Sequence, residues 1–176
     1  AFNYSDARET VQSFPAMFWY ASKLNDPSLL WNERIFLSHE NSRFTAEHER
    51  LLPIILIYGS QFDLKQITPP ADKIWTGNGE VPVALIRTSW EEGEGCYVGI
   101  KGGTASANHG HMDAGSFVFE ASGVRWAQDL GMQEYYSLEK ENVDLWNGKQ
   151  EGQRWDVFRY NNFVHNTLTV NGEKHR

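Results

Sequence analysis

Two histidines and a carboxylate fall within five residues in the stretch Asn108-His109-Gly110-His111-Met112-Asp113-Ala114-Gly115-Ser116-Phe117, between glycines and at the entry to an apolar run. Imidazole titrates near neutral pH, so it serves both as a proton shuttle and as a metal ligand. In an extended backbone the side chains at i and i+2 share a face, which predicts that His109 and His111 look into one site. A metal site needs further ligands from elsewhere in the chain. Taken alone, His-x-His also reads as a turn carrying solvated histidines, because short motifs carry little information.

The elements that must position this stretch fall into two halves. Residues 1 to about 60 read as helical. Asp6 is a plausible N-cap, and Glu9 three residues on completes a capping-box pattern. Val11, Phe14, Phe18, Ala21 and Ser22 then follow one helical face, broken by Pro15 and closed near Asn25-Asp26-Pro27. A second helix is predicted over 28–39, burying Leu30, Ile35, Phe36 and Leu37. A third, over 49–58, is apolar on most sides, which suits a helix packed inside a larger helical array.

Beyond Thr68-Pro69-Pro70 the pattern changes to short runs rich in β-branched and aromatic residues, at 81–88, 97–101, 116–121, 124–129, 157–160 and 166–170. Turn signals separate them, with Ser122-Gly123 the clearest hairpin. The chain therefore reads as α+β, with helices over 1–66 and part of an antiparallel β-sandwich over 67–176. It begins within an element and stops after Val170-Asn171-Gly172, a turn awaiting its return strand, and so reads as a piece of a longer protein.

Composition narrows the partners. A formal net charge of −7 argues against nucleic acid, which selects a basic surface. There is no apolar run long enough to span a membrane. The single cysteine, Cys96, has no partner for an internal disulfide. Seven Trp and seven Tyr supply either core filling or platforms for sugar rings.

The His-Gly-His-Met-Asp run resembles the His-x-His-x-Asp of metallo-β-lactamase-type hydrolases, but Ala114 stands where that family carries a further histidine. A longer match is available. The 108–117 stretch, then Gly123-Val124-Arg125-Trp126-Ala127-Gln128-Asp129-Leu130-Gly131, then His165-Asn166-Thr167-Leu168-Thr169-Val170-Asn171-Gly172, resembles in order the heparinase II/III-like polysaccharide lyases. The likeness covers roughly residues 80–172. The front, with Phe2-Asn3-Tyr4-Ser5-Asp6, is similar to the closing helices of that family's α/α toroid.

This resemblance implies a set of roles. Zinc would be held by His111, Asp129 and His165, a ligand set of two imidazoles and a carboxylate. Asp113 is expected to fix the loop by accepting from backbone N–H groups around Gly115. His109 would be the sandwich-side active-site histidine, with Tyr135 and Tyr136 lining the cleft as further catalytic candidates. Arg159 and Tyr4 are candidates for substrate contact. The implied reaction is β-elimination across an acidic, uronic-acid polysaccharide in the periplasm or outside the cell. On this reading the missing toroid part would pack against the chain, which by itself would be nearly inactive. The rival expectation is a non-catalytic carbohydrate-binding or scaffold domain in which the metal only staples the sheet.

Overall fold

The structure is a computed structural model that describes residues 2–7, 13–38 and 50–175. The chain divides into two compact units, one formed by 10–72 and the other by 1–9 together with 73–176.

The first unit is helical. α1 (Ala16–Leu24) buries Phe18 and Ala21 and ends at Asn25, whose left-handed backbone lets its N–H turn back to the last carbonyls. α2 (Trp31–Ser38) is entered through a 3₁₀ turn, Pro27–Leu30, whose first N–H is capped by Asp26. α3 (Leu52–Gly59) lies against α1, where Gly59 leaves room for the Phe18 ring.

The predicted start of the first helix, after Asp6, runs through residues 8–12, which lie outside those described. Pro15, predicted to break a helix, begins one at Ala16, because its fixed φ and missing N–H cost nothing in a first turn. The entry is held by the buried carboxylate of Glu33, which accepts from Ser13 Oγ at 2.6 Å and Phe14 N at 3.0 Å. Glu9, Val11, His39 and Glu49, which the sequence reading also used, lie outside the described residues. In α2 the buried side chains are Trp31 and Glu33, while Ile35, Phe36 and Leu37 are half-buried. The all-round apolar character of α3 is real, and Leu56 stays 76% exposed.

The second unit is built on one five-stranded antiparallel sheet in sequence order, so the fold is α+β as the sequence predicts. Its strands are β1 (Ile74–Gly77), β2 (Val83–Arg87), β3 (Cys96–Lys101), β4 (Phe117–Ala121) and β5 (Val124–Ala127). The β4–β5 hairpin turns on Ser122 and Gly123, both at positive φ, which is the twist a two-residue hairpin demands. Register places Ile74, Ile86, Val98 and Phe119 in one row and Ala84, Ile100 and Phe117 in the next. On that face Ile74, Ile86, Ile100 and Phe117 are exposed, the face a second sheet covers in a sandwich. The opposite face buries Val118 and Lys101 and takes Phe2 against Gly99.

β1 has no counterpart among the predicted strands. Two predicted strands, at 157–160 and 166–170, are turns instead. Asn161 and Thr167 divert the backbone there: Asn161 Oδ1 accepts from Phe163 N at 3.1 Å, and Thr167 Oγ1 donates to the carbonyl of Ala114. The Asn171-Gly172 turn is present, with both residues at positive φ and Glu173 N donating to the Val170 carbonyl at 3.0 Å. After β5 come α4 (Tyr135–Glu139) and a 3₁₀ turn at Gln153–Asp156. They close a second core of Met112, Leu145, Trp155 and Tyr160 beneath the histidine loop.

Candidate functional site

Three segments of the second unit meet at the 108–117 loop. The loop itself is anchored by Asp113, fully buried, whose carboxylate pairs with the equally buried Lys101 ammonium of β3. Its other oxygen accepts from Ser5 N at 3.1 Å and Ser5 Oγ at 2.9 Å. Asp113 therefore does fix the loop, but through Lys101 and Ser5; the N–H of Gly115 goes instead to the Lys101 carbonyl. Neighbouring Asn3 donates to the Asp129 carbonyl at 2.9 Å, and Gly131 passes so close to the Ala7 carbonyl that a Cβ there would collide.

These ties lay residues 2–7 across the loop and deliver Asp6 to the histidines. Asp6 Oδ1 is 3.1 Å from Nε2 of His111, and Oδ2 is 3.2 Å from Nδ1 of His109. The Tyr135 hydroxyl, at the start of α4, donates to the same Oδ2 and lies 2.6 Å from His109 Nδ1. The backbone here is not the extended strand the i, i+2 argument assumes. His109 is left-handed at φ 58, and Gly110 packs against the carbonyls of Ala105 and Ala107 with no room for a Cβ. The result separates the two rings: His111 is fully buried, while His109 is 50% exposed. They share a carboxylate rather than a face.

Arg154 braces this arrangement from below. Its buried guanidinium donates to the Gly110 carbonyl at 2.9 Å and the Leu145 carbonyl at 3.2 Å, and lies over the Tyr160 ring. Burial works against ionisation of Asp6, but the hydrogen bonds from His111 and Tyr135 and the charge of Arg154 outweigh it and hold the carboxyl below its usual range. Burial and the Asp6 charge push the Tyr135 phenol well above its usual value, so it stays protonated. Burial lowers the His111 imidazole, against the pull of Asp6 and Asp113, and keeps the ring neutral.

Asp129 and His165 lie next to His111. His165 Nδ1 is 2.8 Å from Asp129 Oδ2, and Asp129 Oδ1 accepts from Gly131 N at 2.8 Å. Burial of Asp129 is opposed and outweighed by these bonds, so its pKa is also lowered. The His111 and His165 ring centroids are 5.4 Å apart. Two buried nitrogens in this group have no hydrogen-bond partner, Nδ1 of His111 and Nε2 of His165. Such orphaned lone pairs suit a metal, and a metal-bound imidazole commonly has its other nitrogen held by a carboxylate. Asp129 spends its oxygens on hydrogen bonds, and among the described residues no three His, Cys, Asp or Glu side chains stand as a finished ligand cage.

The structure thus gathers His109, Tyr135, His111, Asp129 and His165, and leaves three candidates outside that cluster. Tyr136 is 77% exposed. Tyr4 packs on Phe2, with ring centroids 4.9 Å apart. Arg159 donates to the carbonyls of Leu130 and Met132, bracing the turn after Asp129. Asp6 and Trp146 were missed. Trp146, 60% exposed, stands edge-on to Tyr135 at 5.1 Å and to His109 at 6.1 Å between centroids. The capping-box pattern hid Asp6, and nothing in the sequence around Trp146 signals its place.

Residues 90–176 match the family model described as heparinase II/III-like, C-terminal. This segment, which contains β3 to β5 and every member of the cluster except Asp6, belongs to the heparinase II/III-like family. It is a polysaccharide-lyase-related domain. No curated protein matches the chain. No helix among the described residues is long and apolar enough to cross a membrane.

Proposed function

We propose that the chain acts in β-elimination on a uronic-acid polysaccharide, with His109 and Tyr135 as the reacting edge and a zinc ion held by His111, Asp129 and His165. The observation that carries this reading is the half-exposed His109 ring hydrogen-bonded to Tyr135, set on a family domain whose next histidine is buried with a bare nitrogen.

In β-elimination the C5 proton passes to a base, its electron pair forms the C4–C5 double bond, and the C4–O4 bond breaks as O4 gains a proton. The uronate carboxylate must be neutralised for C5–H to be acidic enough. His109 is the exposed group suited to meet that carboxylate and to exchange a proton beside it. Tyr135, kept protonated by Asp6, serves as a donor and not as a base. His111 and His165 offer bare nitrogens and Asp129 a carboxylate; zinc, when bound, supplies positive charge and a cross-link between the loop, the β5 exit and the 165 turn.

The test is incubation of a longer chain that also carries the α/α toroid part with alginate, heparan sulfate and hyaluronan while following the absorbance of the unsaturated uronate, the present chain by itself being expected to give nearly none. Growth of that band, abolished by His109→Ala, is expected. New reducing ends without the band would indicate hydrolysis and defeat the proposal. Binding of polymer with neither product would mark the rival, a carbohydrate-binding domain stapled by its metal.

A further inference from the structure

The Asp6 carboxylate receives three donors from the site: His111 Nε2 on one oxygen, and His109 Nδ1 and the Tyr135 hydroxyl on the other. An ionised carboxylate only accepts, so both ring nitrogens facing it must carry their hydrogens. A neutral imidazole with one nitrogen protonated has its lone pair on the other. For His111 that places the lone pair on Nδ1, the buried nitrogen without a partner. For His109 it places the lone pair on Nε2, on the half-exposed ring. The two histidines are therefore held in opposite tautomers by one side chain.

We propose that Asp6 is a positioning residue that sets the tautomers of His109 and His111, leaving His109 with a bare Nε2 for proton transfer and His111 with a bare Nδ1 for a metal. This deepens the function proposed above and rests on it for its meaning, though the tautomers themselves do not depend on any substrate. The His109 arrangement needs an acceptor at Nδ1, because an unconstrained imidazole in water favours the Nε2–H form. Tyr135 alone is ambiguous, since a hydroxyl can donate or accept. With Asp6 taking the phenolic hydrogen, the Tyr135 oxygen is left to accept from His109, and the direction of the whole chain of hydrogen bonds is fixed. Hydrogen-bonding a carboxylate to the far nitrogen of a catalytic imidazole is a known route to the correct tautomer.

Asp6 can do this only because its neighbours are pinned. Just before it Ser5 is bonded to Asp113 and Asn3 to the Asp129 carbonyl, and just after it the Ala7 carbonyl accepts from Met132 N at 3.3 Å. The local backbone accommodates it with Ser5 at φ 49.

The experiment is a long-range proton–nitrogen NMR spectrum of the metal-free, ¹⁵N-histidine-labelled chain, with rings assigned by His109→Ala and His111→Ala. The wild type is expected to show His109 protonated at Nδ1 and His111 at Nε2. Asp6→Ala should return His109 to the Nε2–H form while the other histidine signals keep their dispersion, and Asp6→Glu should restore part of the Nδ1–H form. A wild-type His109 protonated at Nε2, or a spectrum unmoved by Asp6→Ala, overturns the proposal. If Asp6→Ala does not fold, Tyr135→Phe decides: retained Nδ1–H supports Asp6 as the determinant, and its loss assigns that role to Tyr135. In the toroid-bearing chain, Asp6→Ala should also lower kcat on a uronate polymer about 100-fold with KM within about twofold. Failure to find any elimination product in the wild-type toroid-bearing chain would remove the functional reading and leave the tautomer result standing.

Discussion

The Tyr135 ring stacks on His109 at an interplanar angle of 14°, with its hydroxyl 2.6 Å from Nδ1. α4 and the histidine loop make this contact across 26 positions of sequence. Replacing Tyr135 by Phe keeps the stacked ring and deletes only the hydroxyl. Elimination is expected to slow about 100-fold, while stability falls by about 1–2 kcal/mol for the lost bond to a charged acceptor. Turnover and urea midpoints measured together check this. A fall in stability with undiminished turnover would confine Tyr135 to packing.

Lys101 and Asp113 form a buried ion pair that joins β3 to the loop, and Ser5 completes it. Lys101→Ala strands a carboxylate in the interior and should cost about 3–5 kcal/mol. The double replacement Lys101→Met with Asp113→Leu should cost less than the sum of the two single changes, because it removes both charges. Equilibrium unfolding of the three variants forms the cycle. Independent, additive effects would contradict the pairing.

Metal removal should loosen the second unit. Elemental analysis is expected to find about one zinc per chain, absent in His111→Ala and in His165→Ala. Free zinc at about a hundredfold its dissociation constant adds about 2.7 kcal/mol to the folded state, so a chelator should lower the melting temperature of the wild type and leave the two variants unmoved. Equal melting curves with and without chelator would argue that the bare nitrogens serve no metal.

Tyr160 is buried under His111, its phenol pushed up to about 12 by burial and by the Asp6 charge, with Arg154 pulling the other way. Its unfolded value is 10.0, so the folded state holds the proton more tightly. That contribution is complete below pH 10 and is lost as the pH rises toward 12. Stability measured by urea at pH 8, 10 and 11.5 should fall over this range. Tyr160→Phe should make the fall shallower, with Tyr135 and Tyr97, also raised, supplying what remains.

Short-range physics was legible in the residues. β2 to β5 declare themselves by β-branched and aromatic runs, and the Ser122-Gly123 turn by the residue types that tolerate positive φ. The histidine loop and its companions at 129 and 165 are equally visible, since each is a few adjacent residues that meet the family's pattern. The runs at 157–160 and 166–170 misled because strand propensity needs a partner strand, and the local bond of Asn161 and the long-range bond of Thr167 to Ala114 won instead.

Asp6 was beyond any local reading. Its surroundings spell a helix cap, and only the fold shows that its carboxylate is spent on His111, 105 positions away, and on His109 and Tyr135. The sequence by itself singled out the histidine loop and its companions at 129 and 165 as candidates, because that depends on side-chain type and short spacing. The tertiary structure alone decided which nitrogen of each histidine is bare, because that depends on where a distant carboxylate comes to rest.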